Sequence, residues 1–290
     1  MPVESAVTLL QVAIGGVLLG AVYALLACGL NLIFGVMRVI NVAHGELMML
    51  GSYTTFWLFF LLGINPLLSL LFSIPLMFLL GMGIQKFLVS RVVKAPELMS
   101  LLVTFGISMF ILSLALYFWS ADFRSVPYFT GSITLGSFAF SRPRVIAFGI
   151  AVVITLAVYI FLKKTKLGKA VRATSQSSEV AAICGVDVER IRLLTFGLGS
   201  ALAAAAGSLL VVIYAVNPST GQTFILKAFA IIVLGGMGSF LGAFIGALIL
   251  GLAEAFTSFF FTAQLSEAVA YLLLILVLLF MPSGLLGERE

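Results

Sequence analysis

Residues 163–192 are the one long polar interval in a chain that is otherwise close to hydrocarbon. They hold seven basic residues, Lys163, Lys164, Lys166, Lys169, Arg172, Arg190 and Arg192, against three acidic ones, Glu179, Asp187 and Glu189. A short basic loop between apolar spans stays on the cytoplasmic side of a membrane. The interval therefore predicts the orientation of the chain and leaves a folded surface on the inner face, where a soluble partner could bind.

A soluble fold is excluded by composition. The 290 residues are 62% hydrophobic and 9% charged, with a mean hydropathy of +1.24, whereas soluble domains carry about 25% charged residues. Apolar runs reach the ~20 residues that a helix needs to span a bilayer. The net charge of +5 does not point to nucleic acid, because the basic residues cluster between apolar runs, as topology requires. Cys28 lies in an apolar run and Cys184 in the basic loop, on different predicted levels, so no disulfide is expected. The opening MPVESAVTLL lacks the basic region of a secretory signal peptide, and Val7 onward reads as the first span.

The fold class is all-α: a polytopic transmembrane bundle, a single domain over residues 1–290, with eight or nine membrane segments, some discontinuous. The first apolar stretch covers 9–34, where Gly16 and Gly20 have the small-xxx-small spacing that lets helices approach closely. GVMRVINVAHGE (35–46) then places Arg38, Asn41, His44 and Glu46 between apolar runs. Polar groups at membrane depth must be buried in protein or face water, so 35–45 reads as a turn or broken helix at the inner face. Spans follow at 46–62, 67–89 and 98–119, with an Asn65-Pro66 turn, a possible kink at Pro75, and Lys86, Arg91 and Lys94 on the inner side. Residues 120–143, with Arg124 and Arg142, form a loop that is outer by parity. Further spans cover 145–162, 191–214, 240–260 and 265–281, the last stopped by Pro282. The helix at 223–236, before the GGMGS break, is ambiguous; if it crosses, the count is nine and the N-terminus lies outside.

No enzyme chemistry emerges. His44 and Glu46 could form a metal pair, but the chain has one histidine, and a hydrogen-bonded helix start explains them better. GGMGS lacks the lysine of a phosphate-binding loop, so a tight turn accounts for its glycines. Within the basic interval, SSEVAAICG (177–185) reads as a short helix. Ser177 caps its start, Glu179 sits in its first turn, Gly185 takes the left-handed exit, and Asp187 caps the next helix. A helix this short is marginal alone. It must rest on a partner or, in the plainer reading, on lipid headgroups.

Five stretches carry a resemblance over nearly the whole chain: GLNLIFGVMRVINVAHGELMMLGSY (29–53), LMSLLVTFGIS (98–108), TKLGKAVRATSQSSEVAAICGVDVERI (165–191), KAFAIIVLGGMGSFLGAFIGALILGLAE (227–254) and MPSGLLG (281–287). In this order they resemble the LivH-type permeases of the branched-chain amino acid ABC importers. The resemblance implies a bacterial or archaeal inner-membrane subunit that pairs with a second, homologous (LivM-like) permease, two cytoplasmic ATPases and an outer substrate-binding protein. ATP and Mg would be bound by the partners, with no cofactor in this chain. It makes 177–185 a coupling helix, with Ser178, Glu179, Ala182, Gly185, Val186 and Asp187 as the expected ATPase contacts. Asn31, Asn41, His44, Glu46, Thr104 and Ser108 are the candidate pathway-lining residues, though helix-packing contacts would explain such residues too. The implied solute is a branched-chain or other small neutral amino acid. The alternatives are urea or short amides carried by the same family, and an ion-coupled secondary transporter, which would want more buried carboxylates.

The charge pattern places Ser175 inside and Ser125 outside. With the native cysteines replaced, S125C should react with a membrane-impermeant thiol reagent in intact cells and S175C should not. The reverse pattern would invert the orientation.

Overall fold

The computed structural model describes residues 2–93, 95–136, 138–281 and 283–287. Lys94, expected to flank the third span, and Pro282, expected to stop the last, lie outside the described residues, as does the end of the tail. The helices are α1 (Pro2–Met37), α2 (His44–Leu62), α3 (Pro66–Phe87), α4 (Glu97–Trp119), α5 (Arg142–Lys164), α6 (Lys166–Gln176), α7 (Ser178–Ile183), α8 (Val188–Ile213), α9 (Thr220–Gly235), α10 (Phe240–Phe260) and α11 (Ala263–Phe280). Eight are long and apolar enough to cross a membrane: α1 to α5, α8, α10 and α11. The α9 helix, at 16 residues, is about 24 Å long at 1.5 Å per residue, shorter than the ~30 Å hydrocarbon core.

The molecule has two ends. At one, the last turns of α1 and α5 meet α6 and the Gly238–Phe240 turn around a cavity of about 230 Å³ that includes Lys163 and Arg172. This is the basic end. At the other, Gln11 of α1 donates to the Ala139 carbonyl at 2.9 Å, which ties the start of α1 to a hairpin of β1 (Ser132–Leu135) and β2 (Phe138–Ser141). The chain returns from each end to the other. Among the described residues eight helices have the length to span the bilayer, whereas α9 starts inside the bundle, where Gly221 touches Gly45, and ends beside the basic end. The N-terminal half of α1, tied to the hairpin, lies opposite the basic layer. The hairpin itself lies in what the sequence presents as a plain loop.

Small residues hold the centre. Helices α1 and α10 run antiparallel with Gly16 against Gly251 and Gly20 against Ala247. Ala203 to Ala206 of α8 are wholly buried. Around them α2, α3 and α8 are cross-linked by hydroxyls: Ser52 donates to the Gly207 carbonyl at 2.8 Å, Ser69 to Thr55 at 2.8 Å, and Ser73 meets Ser208 at 2.9 Å. No hydrophobic gain drives helices together inside a lipid phase, so close backbone approach and interhelical hydrogen bonds supply the attraction. The outer helices show the complementary pattern, with Leu71, Phe110, Val153 and Phe280 exposed, the side chains that lipid would contact.

The break between α1 and α2 differs from its expected place. The α1 helix continues to Met37, Arg38 turns in the left-handed region with φ 54°, and the non-helical stretch is 38–43. It folds back into the bundle rather than lying on the inner face. The His44 Nε2 atom lies 3.0 Å from the Leu26 carbonyl, and Leu26 stands three helical turns before Met37, about 16 Å along the axis.

A side chain at Gly51 would meet the α8 backbone, its Cβ only 2.5 Å from Ala204 Cα. Overpacking of this kind costs about 1–3 kcal/mol or more. Gly51→Leu should sharply lower the melting temperature in detergent, whereas Gly149→Leu, with nothing within 4 Å, should leave it nearly unchanged. Equal melting of the two variants would refute the packing described.

Candidate functional site

Non-helical backbone at membrane depth is tolerated only where protein or water satisfies it. Thr104 of α4 supplies part of that. Its hydroxyl donates to the Ile40 carbonyl at 2.8 Å and accepts from the Val42 N–H at 3.3 Å. Thr104 lies seven residues into α4, about 10 Å along its axis, so the break is held well inside the bundle. Close behind it, Gly45 of α2 and Gly221 of α9 touch backbone to backbone. Two helices therefore begin side by side within the molecule, with their free N–H ends inside it.

What the break leaves unsatisfied defines the site. Both side-chain polar atoms of Asn41, both carboxylate oxygens of Glu46 and Nδ1 of His44 are buried without a hydrogen-bond partner. Buried polar atoms are nearly always paired with protein or ordered water, and an unpaired group costs about 1–3 kcal/mol. Ser108, one turn beyond Thr104, faces the Glu46 carboxylate. Two of the expected lining residues thus meet between α2 and α4, Glu46 and Ser108, and Thr104 holds the backbone on either side of Asn41, whereas His44 turns its ring to α1. Asn31 does not join them. Its amide donates to the Ser239 carbonyl at 2.6 Å and its oxygen accepts from the Gly238 N–H at 2.7 Å, so both ends are engaged in fixing the GGMGS turn to α1.

An apolar groove of about 830 Å³ lies mainly between α3 and α4, lined by Leu80, Ile84, Leu88, Val103, Ile107 and Ile111, with Leu50 of α2 at one side; none of the polar residues above lines it. Helical spacing puts Leu50 on the face of Glu46, and Ile111 and Ala115 on the face of Thr104 and Ser108. The far end is closed by Tyr53 stacked on Trp119, with ring centroids 4.3 Å apart and 9° between planes. Arg124 braces that lid by donating to the Trp119 carbonyl at 3.1 Å and lying 5.3 Å from the Phe56 ring. The arrangement offers polar groups one helical turn from an apolar groove.

The expected partner-contact residues form a separate layer at the basic end. Ser177 accepts from the Val180 N–H at 3.3 Å, Asp187 accepts from the Arg190 N–H at 3.0 Å, and Gly185 sits at φ 84°. Glu179, Ala182, Gly185 and Asp187 are exposed, and Ser178 and Val186 are half-buried. Val180 and Ile183 stand out at 58% and 85% exposure, an apolar tip on a charged surface. Beneath it, the α6 helix is an element that the sequence does not announce. Thr165 caps it by accepting from the Gly168 N–H at 2.9 Å.

One buried group is missed by reading the sequence alone. Lys227 of α9 pairs with Glu254 of α10 at 2.8 Å, with both side chains about one-tenth exposed or less. Tyr23 of α1 donates to the other Glu254 oxygen at 2.8 Å, and the lysine lies over the Tyr23 and Phe224 rings at 5.3 and 5.4 Å. The available signal was a lone lysine inside an otherwise apolar helix.

A bundle of membrane-length helices with an interrupted helix, orphaned polar atoms at the interruption and an apolar slot beside them is a multi-pass solute permease. A family model described as the permease component of the branched-chain amino acid transport system matches residues 12–278. The chain is 36% identical to the high-affinity branched-chain amino acid transport system permease protein LivH of Escherichia coli K12, over 97% of this chain and 96% of that one. It is 34% identical, with the same coverage, to the corresponding protein BraD of Pseudomonas aeruginosa. A probable LivH of Methanocaldococcus jannaschii is 29% identical over 94% of this chain and 91% of its own. The chain belongs to this family of branched-chain amino acid transport permeases.

Removing one partner of a buried ion pair costs about 3–5 kcal/mol, while replacing both by apolar residues is often close to neutral. Lys227→Met and Glu254→Gln should each lower thermal stability strongly, and the double variant K227M/E254L should recover most of the loss. Additive losses would mean that the two charges are held independently.

Proposed function

We propose that this chain is the membrane permease subunit of an ATP-driven importer and that its solute is a branched-chain or similar small neutral amino acid. The observation that carries the reading is the α2–α4 cleft. The buried carboxylate of Glu46, faced by Ser108, stands one helical turn from Leu50 and Ile111, which line an apolar groove bounded by leucine, valine and isoleucine. That pattern matches a solute with a zwitterionic head and a branched hydrocarbon tail. The α2 helix begins beside the head position, and helix N-termini within membranes favour anionic groups such as a carboxylate. Urea or a short amide would leave the apolar slot unused. The relatives named above support the same solute class.

Driving energy comes, in this reading, from partners. Two cytoplasmic ATPases would bind ATP and Mg, and this chain would hydrolyse none. The apolar tip of α7, with Ser178, Glu179, Ala182, Gly185, Val186 and Asp187 around it, would rest in a groove of one ATPase. A second, homologous permease would complete the pathway, and an outer binding protein would deliver the solute across the inner membrane. ATP binding would draw the ATPases together and shift the permease between two states of access.

The test is uptake by the assembled complex in proteoliposomes. Leucine should accumulate only with ATP and be blocked by vanadate. Asn41→Ala and Glu46→Gln should each cut the rate at least tenfold while the ATPase subunits still co-purify. Uptake of urea or acetamide without leucine, or full leucine uptake by both variants, would overturn the assignment.

A further inference from the structure

A second cavity lies at the end of the molecule opposite the basic layer, outside the α2–α4 cleft. It measures about 470 Å³, within the range of about 300–1,000 Å³ typical of small-molecule sites. Its wall comes from residues 11–19 of α1, the first turns of α5 and α11 and the last turns of α10, and includes Gln11, Arg144, Tyr214, Glu254, Ser258 and Ser266. Two opposite charges face one space.

The charges differ in how far they are already satisfied. The Glu254 carboxylate is balanced by Lys227 at 2.8 Å and accepts from Tyr23 at 2.8 Å. A carboxylate has about four lone-pair positions, so it retains capacity for another donor. Among the described residues Arg144 makes no ion pair. It reaches the Tyr214 hydroxyl at 3.4 Å and lies 5.7 Å from the Tyr214 ring, which leaves most of its five N–H donors for something else. Tyr214 lines the same cavity as Arg144 and Glu254. Arg144 is the cation without a counter-ion at this cavity, and Glu254 keeps lone-pair positions beyond those that Lys227 and Tyr23 occupy. A ligand with an anionic group for Arg144 and a donating ammonium for Glu254 engages both, whereas a plain anion or a plain cation engages one.

We propose that this cavity is a binding site for a small zwitterion, with its carboxylate or phosphate on Arg144 and Tyr214 and its ammonium on Glu254. Two sources share that chemistry: a free amino acid arriving from outside, and the headgroup of an aminophospholipid. The exposed Phe259, Phe260, Phe261 and Leu265 beside the site would suit the acyl chains of the second. The site stands apart from the cleft assigned to transport and does not depend on which solute that cleft carries.

The experiment is a calorimetric titration of the purified full-length chain in maltoside detergent, in an N41A/E46Q background that disables the α2–α4 cleft. The probes are L-leucine, O-phosphoethanolamine, leucinamide and isovalerate. At least one of the two zwitterions should bind saturably and bind at least tenfold more weakly to Arg144→Gln. Leucinamide, which lacks the anion, and isovalerate, which lacks the ammonium, should bind at least tenfold more weakly than that zwitterion. Gly15 lines the cavity and has nothing within 4 Å of where a Cβ would be. Gly15→Leu should therefore fill the space and abolish binding while the chain melts as before. Native mass spectrometry distinguishes the sources. Phosphatidylethanolamine retained in an Arg144-dependent way and displacing leucine identifies the lipid, and leucine binding unaffected by that lipid identifies the free amino acid. The proposal fails if neither zwitterion shows binding that depends on both Arg144 and Gly15, or if isovalerate or leucinamide binds as well as leucine.

Discussion

Everything in this structure follows from one requirement: in a medium without water, each backbone N–H and C=O must find a partner within the protein. Uninterrupted helices meet it locally, which is why most of the chain is helix. The stretch 38–43 cannot meet it locally. It persists because Thr104 serves the Ile40 carbonyl and the Val42 N–H together, and because the neighbouring backbone of α9 packs directly on Gly45. The same stretch leaves the Asn41 amide buried without a hydrogen-bond partner, and the first turn of α2 leaves the Glu46 carboxylate with only Ser108 facing it. Stability and function pull in opposite directions here. A structure that satisfied those atoms internally would be more stable and would have nothing to offer a polar solute.

Small residues make that interruption possible. Helices α2, α8 and α10 approach their neighbours at backbone distance because glycine, alanine and serine occupy the contacts, as at Gly51 on Ala204 and Gly207 on Met48. Close approach brings the serine hydroxyls within reach of facing carbonyls, and those bonds fix the helices in register. The interior is thus rigid where α1, α8 and α10 meet, and open where α4 leans on α2 through a few contacts around Thr104 and the Tyr53–Trp119 stack. Glu46 and Ser108 thus meet at a thinly packed seam of the bundle, one that a change of access would open.

Much of this was legible in the sequence, for physical reasons that can be named. Helices whose length is set by bilayer thickness announce themselves by hydropathy, so α3, α4, α5, α8 and α11 fall within a few residues of where the apolar runs place them. Caps depend on side chains adjacent in sequence, so Ser177, Gly185 and Asp187 could be assigned without coordinates. The meeting of Glu46 with Ser108, and of Thr104 with the backbone on either side of Asn41, followed from polar residues at membrane depth having to face inward. What was hidden depends on partners far apart in the chain. Asn31 looks like a lining residue until the GGMGS turn, some 200 positions away, occupies its amide on both sides. Lys227 and Glu254 look like isolated charges until α9 and α10 fold back on each other. The depth of the break was hidden for the same reason. An apolar helix that continues to Met37 and a chain that re-enters the bundle have the same local composition as one that turns at the surface.

In the proposed function, helix α8 gives a mechanical route between the two layers. Capped by Asp187 just after the exit of α7, it starts at Val188 and runs 26 residues to Ile213, about 39 Å at 1.5 Å per residue. Along its length it packs on α3 through Ser200 and Ser208 and on α2 through Ala204 and Gly207. Because these contacts are backbone to backbone and tied by hydroxyls, α8 cannot tilt without carrying α2 with it. The α2 helix carries Glu46 and Leu50, and α4 faces them with Ser108 and Ile111; among the described residues α4 has no comparable bond to α8. A displacement delivered at α7 would therefore move Glu46 and Leu50 relative to Ser108 and Ile111, widening or closing the space between them. Packed helices shift between discrete arrangements rather than deforming continuously, so such a lever favours two states of the cleft over a graded series.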